Sequence, residues 1–511
     1  MVPWRPEPCP LQAVGTGADA GTARPSVASL DSSIDGELLR AIPLHVCLAG
    51  WGTRLAGGPT DGYHLSRRVE QIDVFLSHDW QTPRWAKTLA LLMHFNGVPA
   101  AIASFCTCAV SCALIALDAL PGGWPVATAC TYIAFWFVFL AWQSIRRCCG
   151  HQTMVFLDSL CIAQHDQDLK KRGILGLAGL VSKSQSLLIL WSPRYCTRLW
   201  CAFELACFLK DDPSKSRQIE FAPVSMAPLL LAASVFLSFT SLTFQTYVIF
   251  EEEGGQFIQM SETSLALGFT LGMTLLVSLP VILVLMPVTV YFGVRLMMEL
   301  LQLKHQLGGF SIRASECSCC TSEHCDPHTG EEMLCDRKLV FQTLKRWYAG
   351  TSCSQEGHLD EFDELVQSQL SASMLRILGS GAPPLRYVAV ITLPPVVAQL
   401  GQYVAMGLVD TRGWAFGKWL IDFCRFPPIA LFVFWEFMII WRKGASMHGR
   451  VSLWVLALAT PGICSFLAIC LLLPYEVVKY AVEPASLLTA FPIAFMWAAV
   501  AFLYFREYRH V

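Results

Sequence analysis

Eight stretches of this chain run for about 20 residues or more with almost no charge, and that is the length needed to cross the hydrocarbon core of a bilayer. Val98–Leu117, Trp124–Gln143, Met226–Ile249, Thr263–Val294, Tyr387–Val409, Val451–Tyr475 and Pro484–Phe505 hold no Lys, Arg, Asp or Glu. The eighth, Trp419–Trp441, carries Asp422, Arg425 and Glu436. A single such run could be a buried helix of a soluble core. A set of eight points to a polytopic membrane protein.

Composition agrees. Charged residues make up 15% of the chain and hydrophobic residues 54%, too little charge to cover a soluble surface. A soluble enzyme is excluded, and so is disorder over most of the length. The net charge of −2 gives no electrostatic case for a nucleic-acid partner. The expected partner is the lipid bilayer.

Loop charges orient the spans. With a cytosolic N-terminus, the cytosolic sides receive Arg146, Arg147, Arg295, Lys304, Arg442, Lys443, Arg450, Arg506 and Arg509. The opposite side receives Asp118, Glu251–Glu253, Glu262, Asp410 with Arg412, and Glu476, Lys479 and Glu483. Both termini are therefore expected in the cytosol. None of the 21 Cys falls in the four outside loops, so no disulfide framework is expected. Asn96–Gly97–Val98 is not a glycosylation sequon. The first 40 residues, rich in Pro, Gly, Ala and Ser, show no signal peptide and read as a disordered tail. The outside loops are short, which argues against a receptor with an ectodomain.

The cytosolic segments alternate strand and helix. Gln71–Ser77 is a short β-branched and aromatic run suited to a buried strand. Thr82–Pro83 predicts an N-cap followed by Pro at the first helical position, and Asn96–Gly97 predicts the stop of that helix. Thr153–Asp158 and Ser186–Trp191 are further buried strands, and Glu220–Val224 is a candidate fourth. Gln164–Gly173 is a polar loop and helix start; Leu175–Ser184 and Tyr195–Leu209 are helical. Such alternation implies a doubly wound parallel sheet with ligands beyond the strand carboxyl ends. Asp79, Asp158 and Ser192 would meet on that rim.

These residues carry a family resemblance. DVFLSHDW (73–80) resembles the first box of TIR domains, those of Toll and interleukin receptors and plant resistance proteins. VFLDSLCI (155–162) resembles their second strand and the loop after it. SKSQSLLILWSPRYCTRLWCAFEL (182–205) matches the stretch in which a strand ends in Ser, a Tyr follows, and Trp-Cys-x-x-Glu-Leu opens a helix. Ser182, Lys183, Ser192, Tyr195, Trp200, Cys201, Glu204 and Leu205 fall in order and spacing. The likeness covers roughly a fifth of the chain. Its combination with spans is similar to uncharacterised multi-span TIR-like proteins of algal protists. The fold expected is thus a multi-pass α-helical membrane protein of about eight spans, with a cytosolic α/β TIR-like doubly wound parallel sheet split by a transmembrane hairpin. Its parts are a tail (1–40), a first TIR-like part (70–97), a hairpin (98–143), a second TIR-like part (150–224), a hairpin (226–294), a cytosolic insert (300–384), four spans (385–505) and a cytosolic tail (506–511). The family's uninterrupted five-strand block is broken here, and its last strand and helix are not evident.

The resemblance implies a site. TIR enzymes cleave NAD between nicotinamide and ribose, and their glutamate lies at the position matching Glu204. A carboxylate there can stabilise the ribosyl cation and hold ribose hydroxyls. Glu204 is the one charged residue of Leu199–Leu209, so burial should raise its pKa. The alternative is a glutamate that only fixes its helix, as in adaptor TIR domains. Asp79 and Asp158 are candidate ligand contacts or strand-end caps. Trp80 and Trp191 could stack on a base or pack in the core. Ser159–Gln167 matches the loop TIR domains use in homotypic self-association. NAD is thus a candidate substrate, and no cofactor is needed for its cleavage. Three functions follow: a signalling protein that cleaves NAD, a non-catalytic assembly module, or a channel or transporter regulated by the domain.

Other features stand outside that resemblance. Cys317–Cys335 reads CSCCTSEHCDPHTGEEMLC, with Cys317, Cys319, Cys320, His324, Cys325 and Cys335 as candidate ligands of a structural zinc, or as free thiols. Leu339–Tyr348 is amphipathic and is expected to pack on the TIR-like unit rather than on the membrane surface. Phe362, Leu365, Val366, Leu370, Met374 and Ile377 repeat at helical spacing. Cys148–Cys149 are either palmitoylation candidates or small buried thiols. Asp422 and Arg425 share a helix face beside Pro427–Pro428, and Glu436 lies about three turns further along; the group reads as an interfacial pair or an ion path.

Overall fold

The computed structural model describes residues 35–56, 62–120, 123–209, 218–257, 286–325, 335–348, 356–370, 385–409, 417, 420–421, 423–447, 452–481 and 487–508. Among them six strands form one sheet: β1 (Arg40–Pro43), β2 (Arg67–Arg68), β3 (Ile72–His78), β4 (Met154–Phe156), β5 (Ser184–Leu190) and β6 (Ile219–Phe221). Their order is β2-β1-β4-β3-β5-β6. The pairs β3–β4, β3–β5 and β5–β6 are parallel, whereas β1 runs antiparallel to β4 and to β2. The sheet is mixed and mostly parallel.

The parallel strands read as apolar runs because helices cover both faces. Ile72, Phe75, Leu76, Val155, Phe156 and Leu187–Leu190 are buried. Phe75 stacks on Phe156 at 4.7 Å between ring centroids. The register sets Val74 opposite Val155 on one side and Ser186 on the other.

Sixteen described α-helices accompany the sheet. The first seven are α1 (Leu44–Gly52), α2 (Arg84–Ala116), α3 (Gly123–Cys148), α4 (Asp158–Cys161), α5 (Gln167–Leu175), α6 (Leu177–Ser182) and α7 (Leu199–Leu209). Then come α8 (Met226–Phe257), α9 (Met286–Gly308), α10 (Ser318–Thr321), α11 (Asp336–Trp347) and α12 (Gly357–Leu365). The last are α13 (Leu385–Val409), α14 (Phe426–Ser446), α15 (Leu453–Ala481) and α16 (Ala490–Tyr508).

By length and composition, four of these, α2, α3, α13 and α16, can cross a membrane. They suggest a membrane protein. Their outer faces fit lipid rather than water: Ile102, Phe105 and Val110 on α2, Ile133 and Phe137 on α3, and Phe491, Phe495, Phe502 and Phe505 on α16 are all exposed. In contrast, α13 is largely buried. Of the other expected spans, Met226–Ile249 lies in α8, and Val451–Tyr475 lies in α15 from Leu453 onward; Trp419–Trp441 ends in α14. Thr263–Val294 lies outside the described residues as far as 285, as do residues 1–34 of the expected tail.

Two local expectations are corrected. The helix after β3 does not stop at Asn96–Gly97. It continues as α2 through Pro99 to Ala116, so one continuous helix of about 50 Å runs from the sheet into the apolar bundle. The Asn96 side chain is buried: its Nδ2 donates to the Phe139 carbonyl (2.8 Å), and its Oδ1 accepts from Gln143 Nε2 (2.7 Å). Gly97 gives Val390 room, since an added Cβ would lie 3.2 Å from it. The polar pair thus joins helices instead of ending one. Nor does Thr82 cap α2. Pro83 is extended (φ −56°, ψ 133°) at the N-cap position, and the Thr82 hydroxyl faces Asp79 Oδ2 at 3.5 Å.

Residues 40–68, given no element from sequence, add β1, β2 and α1. Arg40 fixes the returning chain through Ser66, donating from Nε to Oγ at 2.8 Å. The helical hairpin α2–α3 interrupts the sheet in sequence only, because β4 still pairs with β3. Within the expected 300–384 insert, α11 packs on α7: Leu339, Val340, Thr343 and Leu344 are buried, and Trp347 stacks on Phe203 at 5.6 Å.

Candidate functional site

From β3 the chain passes to β4 on one side and then to β5 on the other, which makes the carboxyl ends of β3 and β5 a topological switch point. Four side chains singled out from sequence lie around it. Glu204 reaches it from α7. Asp79 and Trp80 follow β3, and Asp158 opens α4 one residue beyond Leu157.

A hydrogen-bonded chain holds Glu204. Ser77 Oγ donates to Glu204 Oε2 at 2.5 Å and lies 2.7 Å from the Tyr195 hydroxyl. A serine hydroxyl has one proton, so Tyr195 donates to Ser77 in this arrangement. The Tyr195 hydroxyl also lies 3.4 Å from the Cys201 carbonyl. Burial pushes the Glu204 carboxyl up to about 8; the Ser77 bond pulls it down, and the Asp158 charge adds to the rise. Burial likewise raises the Tyr195 hydroxyl well above its ordinary value.

The second half of the site is built on Trp80. Its Nε1 donates to Asp158 Oδ2 at 3.0 Å. The Lys87 ammonium lies 5.2 Å from the ring centroid, and the His78 ring meets it edge-on at 4.4 Å. The indole is thus engaged by protein. Burial pushes Asp158 up to about 6, against the opposing pull of the Ser159 amide, the Trp80 indole and the Lys87 charge. His78, also buried, is pushed down to about 3 by desolvation and then by the Lys87 charge, so its ring is neutral at physiological pH. Its Nε2 has no hydrogen-bond partner among the described residues.

Asp79 is buried and caps its own turn, accepting from the Gln81 amide at 3.3 Å, with Arg198 Nε at 3.9 Å. Ser192 follows β5, but its hydroxyl is buried without a hydrogen-bond partner among the described residues. Trp191 is fully buried in the core. Sequence reading missed Ser77, His78 and Lys87 as site residues, and gave Tyr195 no role there. Lys87 had a visible signal, being the one Lys, Arg, Asp or Glu in Trp85–Leu117. Its ammonium is buried and donates to the Leu55 carbonyl at 3.1 Å.

The second candidate site is a Cys/His cluster that could bind a metal such as zinc. Ligand atoms of Cys319, Cys320, His324 and Cys335 lie within 4.8 Å of one another, and those of Cys317, Cys319 and Asp336 form an overlapping group. Cys325 is exposed and belongs to neither group. Glu323 and His324 both adopt left-handed backbone, with φ +52° and +61°, a strain of about 1–2 kcal/mol per residue. The turn brings the His324 amide to the Cys319 carbonyl at 2.7 Å.

In the bundle, Asp422 lies outside the described residues. Arg425 is buried and donates to the hydroxyls of Tyr403 (3.0 Å) and Tyr475. Arg442 and Glu507 pair between α14 and α16. Cys148 and Cys149 are exposed at the end of α3.

Comparison with known proteins finds no family model, no curated protein and no solved structure that matches this chain.

Proposed function

We propose that this chain is a membrane-held TIR-like signalling protein that cleaves NAD at the nicotinamide–ribose bond, with Glu204 as the residue that stabilises the ribosyl cation. The observation carrying this reading is the place of Glu204 at the switch point of a parallel sheet, on a helix otherwise free of charge, hydrogen-bonded to the end of β3. In this reading the chain crosses the membrane about eight times, with both termini and the sheet in the cytosol. The α2–α3 hairpin then clamps the sheet to the bilayer.

The electrostatics fit a cationic reactant. Burial keeps the Glu204 carboxyl largely neutral at pH 7, because it pushes the pKa to about 8. The nicotinamide ring of NAD carries a positive charge, which would draw the carboxyl into its ionised form. Ionised Glu204 then faces the oxocarbenium-like sugar as the carbon–nitrogen bond breaks. Nicotinamide leaves with the bonding electron pair, water adds to the sugar carbon, and a proton is released. The products are nicotinamide and ADP-ribose.

NAD consumption by membranes carrying the full-length protein tests the reading. Wild-type membranes should deplete NAD and release nicotinamide, and Glu204→Gln membranes should not. Undiminished depletion by the variant removes Glu204 from the role.

A second reading draws on the same hydrogen bonds. The Ser77–Glu204 and Ser77–Tyr195 contacts tie α7 to β3, which serves equally a non-catalytic unit that self-associates through Ser159–Gln167. Intact NAD together with filament or cluster formation on membranes selects it.

A further inference from the structure

We propose that Cys319, Cys320, His324 and Cys335 hold one zinc ion in a closed four-coordinate site, and that the ion fastens residues 316–325 and Cys335–Asp336 to the first turn of α7. The four ligand atoms already lie within 4.8 Å of one another. The Cys320 and Cys335 sulfurs are 3.9 Å apart, close to the ~3.8 Å edge of a tetrahedron with Zn–S bonds of about 2.3 Å. His324 Nε2 is buried and has no hydrogen-bond partner among the described residues. Three soft sulfurs and one imidazole are a donor set that favours zinc over hard cations. The Asp336 amide donates to Cys319 Sγ at 3.2 Å, the kind of outer contact that steadies a metal thiolate.

The overlapping Cys317–Cys319–Asp336 group is the weaker alternative. It offers three ligands, and Asp336 Oδ2 is engaged by Trp200 Nε1 at 3.0 Å. That bond is where the ion would act on α7. The next contacts run the same way. The Glu316 amide donates to the Thr197 carbonyl (2.6 Å), and the Leu199 amide donates to the Glu316 carbonyl (3.1 Å). Chain on both sides of the cluster therefore touches the residues that open α7. With four protein ligands no position is left for substrate, so the role is positional and not catalytic.

The full-length protein, purified in detergent without chelators, should carry about one zinc per chain. Cobalt exchanged into the site should give the visible bands of a tetrahedral ion and thiolate-to-cobalt absorption. Cys335→Ser and His324→Ala should lose the metal. Cys325→Ser should keep it, and His324→Cys, which restores a fourth soft ligand, should bind again. Stripping the metal should speed amide hydrogen exchange at residues 197–205 at least several-fold and leave α2 unchanged. Less than a tenth of a zinc per chain, two zincs per chain, octahedral cobalt bands, or equal loss in Cys325→Ser and Cys335→Ser would overturn the ligand assignment. Unchanged exchange at 197–205 would overturn the fastening. Neither readout depends on NAD cleavage.

Discussion

Ser77 donates its hydroxyl proton to Glu204 at 2.5 Å although the two residues are 127 positions apart. The α2–α3 hairpin lies between them in sequence, and the pairing of β3 with β5 brings them together. The bond stabilises the ionised carboxyl against a burial that favours the neutral one. Ser77→Ala should therefore raise the Glu204 pKa further and leave less carboxylate at neutral pH. A hydrogen bond to a charged group contributes about 1.5–3 kcal/mol, so kcat/KM for NAD should fall roughly tenfold to a hundredfold. The loss should shrink as the assay pH rises. A loss below twofold at pH 7 would mean that this bond does not tune the carboxyl.

Glu204 also makes stability depend on pH, with a definite sign. Its pKa is raised on folding from 4.5 to about 8, so the folded chain holds a proton that the unfolded chain gives up. That contribution is complete below pH 4.5 and is lost as pH climbs to about 8. Glu204→Gln keeps the shape and never ionises. At pH 9 the variant should be more stable than the wild type by roughly 2–4 kcal/mol, allowing for partial solvent contact; at pH 4 the difference should vanish. Thermal melts in detergent across that range check it. A variant less stable at pH 9 would show that the carboxylate is satisfied within the fold.

The legible parts of the fold are those written in contiguous residues. QIDVFLS and SLLILW read as buried strands because both faces of β3 and β5 are covered, and their parallel pairing follows from the helices between them. The edge was hidden: β1 is four residues long, starts with Arg40 and ends with Pro43, so no alternation or apolar run marks it. Asn96–Gly97 has the composition of a helix stop, and only the facing Gln143 and Val390 reveal it as a packing site. The candidate site divides in the same way. Glu204 stands out as a lone charge in an apolar helix, whereas Ser77 matters because of a tyrosine and a glutamate more than a hundred positions away. In the Cys-rich segment the ligand types were visible, but the exclusion of Cys325 is a matter of backbone path.

Asn96 and Gln143 tie α2 to α3 inside the apolar bundle. Asn96→Ala removes both hydrogen bonds and leaves the buried Gln143 amide without this acceptor. Polar contacts between helices in lipid contribute about 0.6 kcal/mol on average and up to about 1.7 each. The variant should lose roughly 1–3 kcal/mol of stability, read as a lowered melting temperature in detergent. Gln143→Leu in that background should recover part of the loss, because the stranded amide is gone. No recovery would place the cost in packing alone.

The contact between α9 and α14 makes the sharpest packing test. A Cβ added at Gly293 would lie 2.4 Å from three atoms of the Trp441 indole. That ring cannot yield easily, since it stacks near Phe437 at 5.9 Å and meets Phe434 edge-on at 6.0 Å. Overpacking a filled core costs about 1–3 kcal/mol, so Gly293→Ala should lower the melting temperature, and Gly293→Ala with Trp441→Leu should regain part of it. Gly462 on α15 is the control, because nothing lies within 4 Å of its added Cβ. There the same substitution removes only backbone entropy and should stabilise the helix by up to about 1 kcal/mol. Opposite signs at the two glycines would tie the effect to the Trp441 contact. Equal and small changes would mean that α9 and α14 do not meet at this distance.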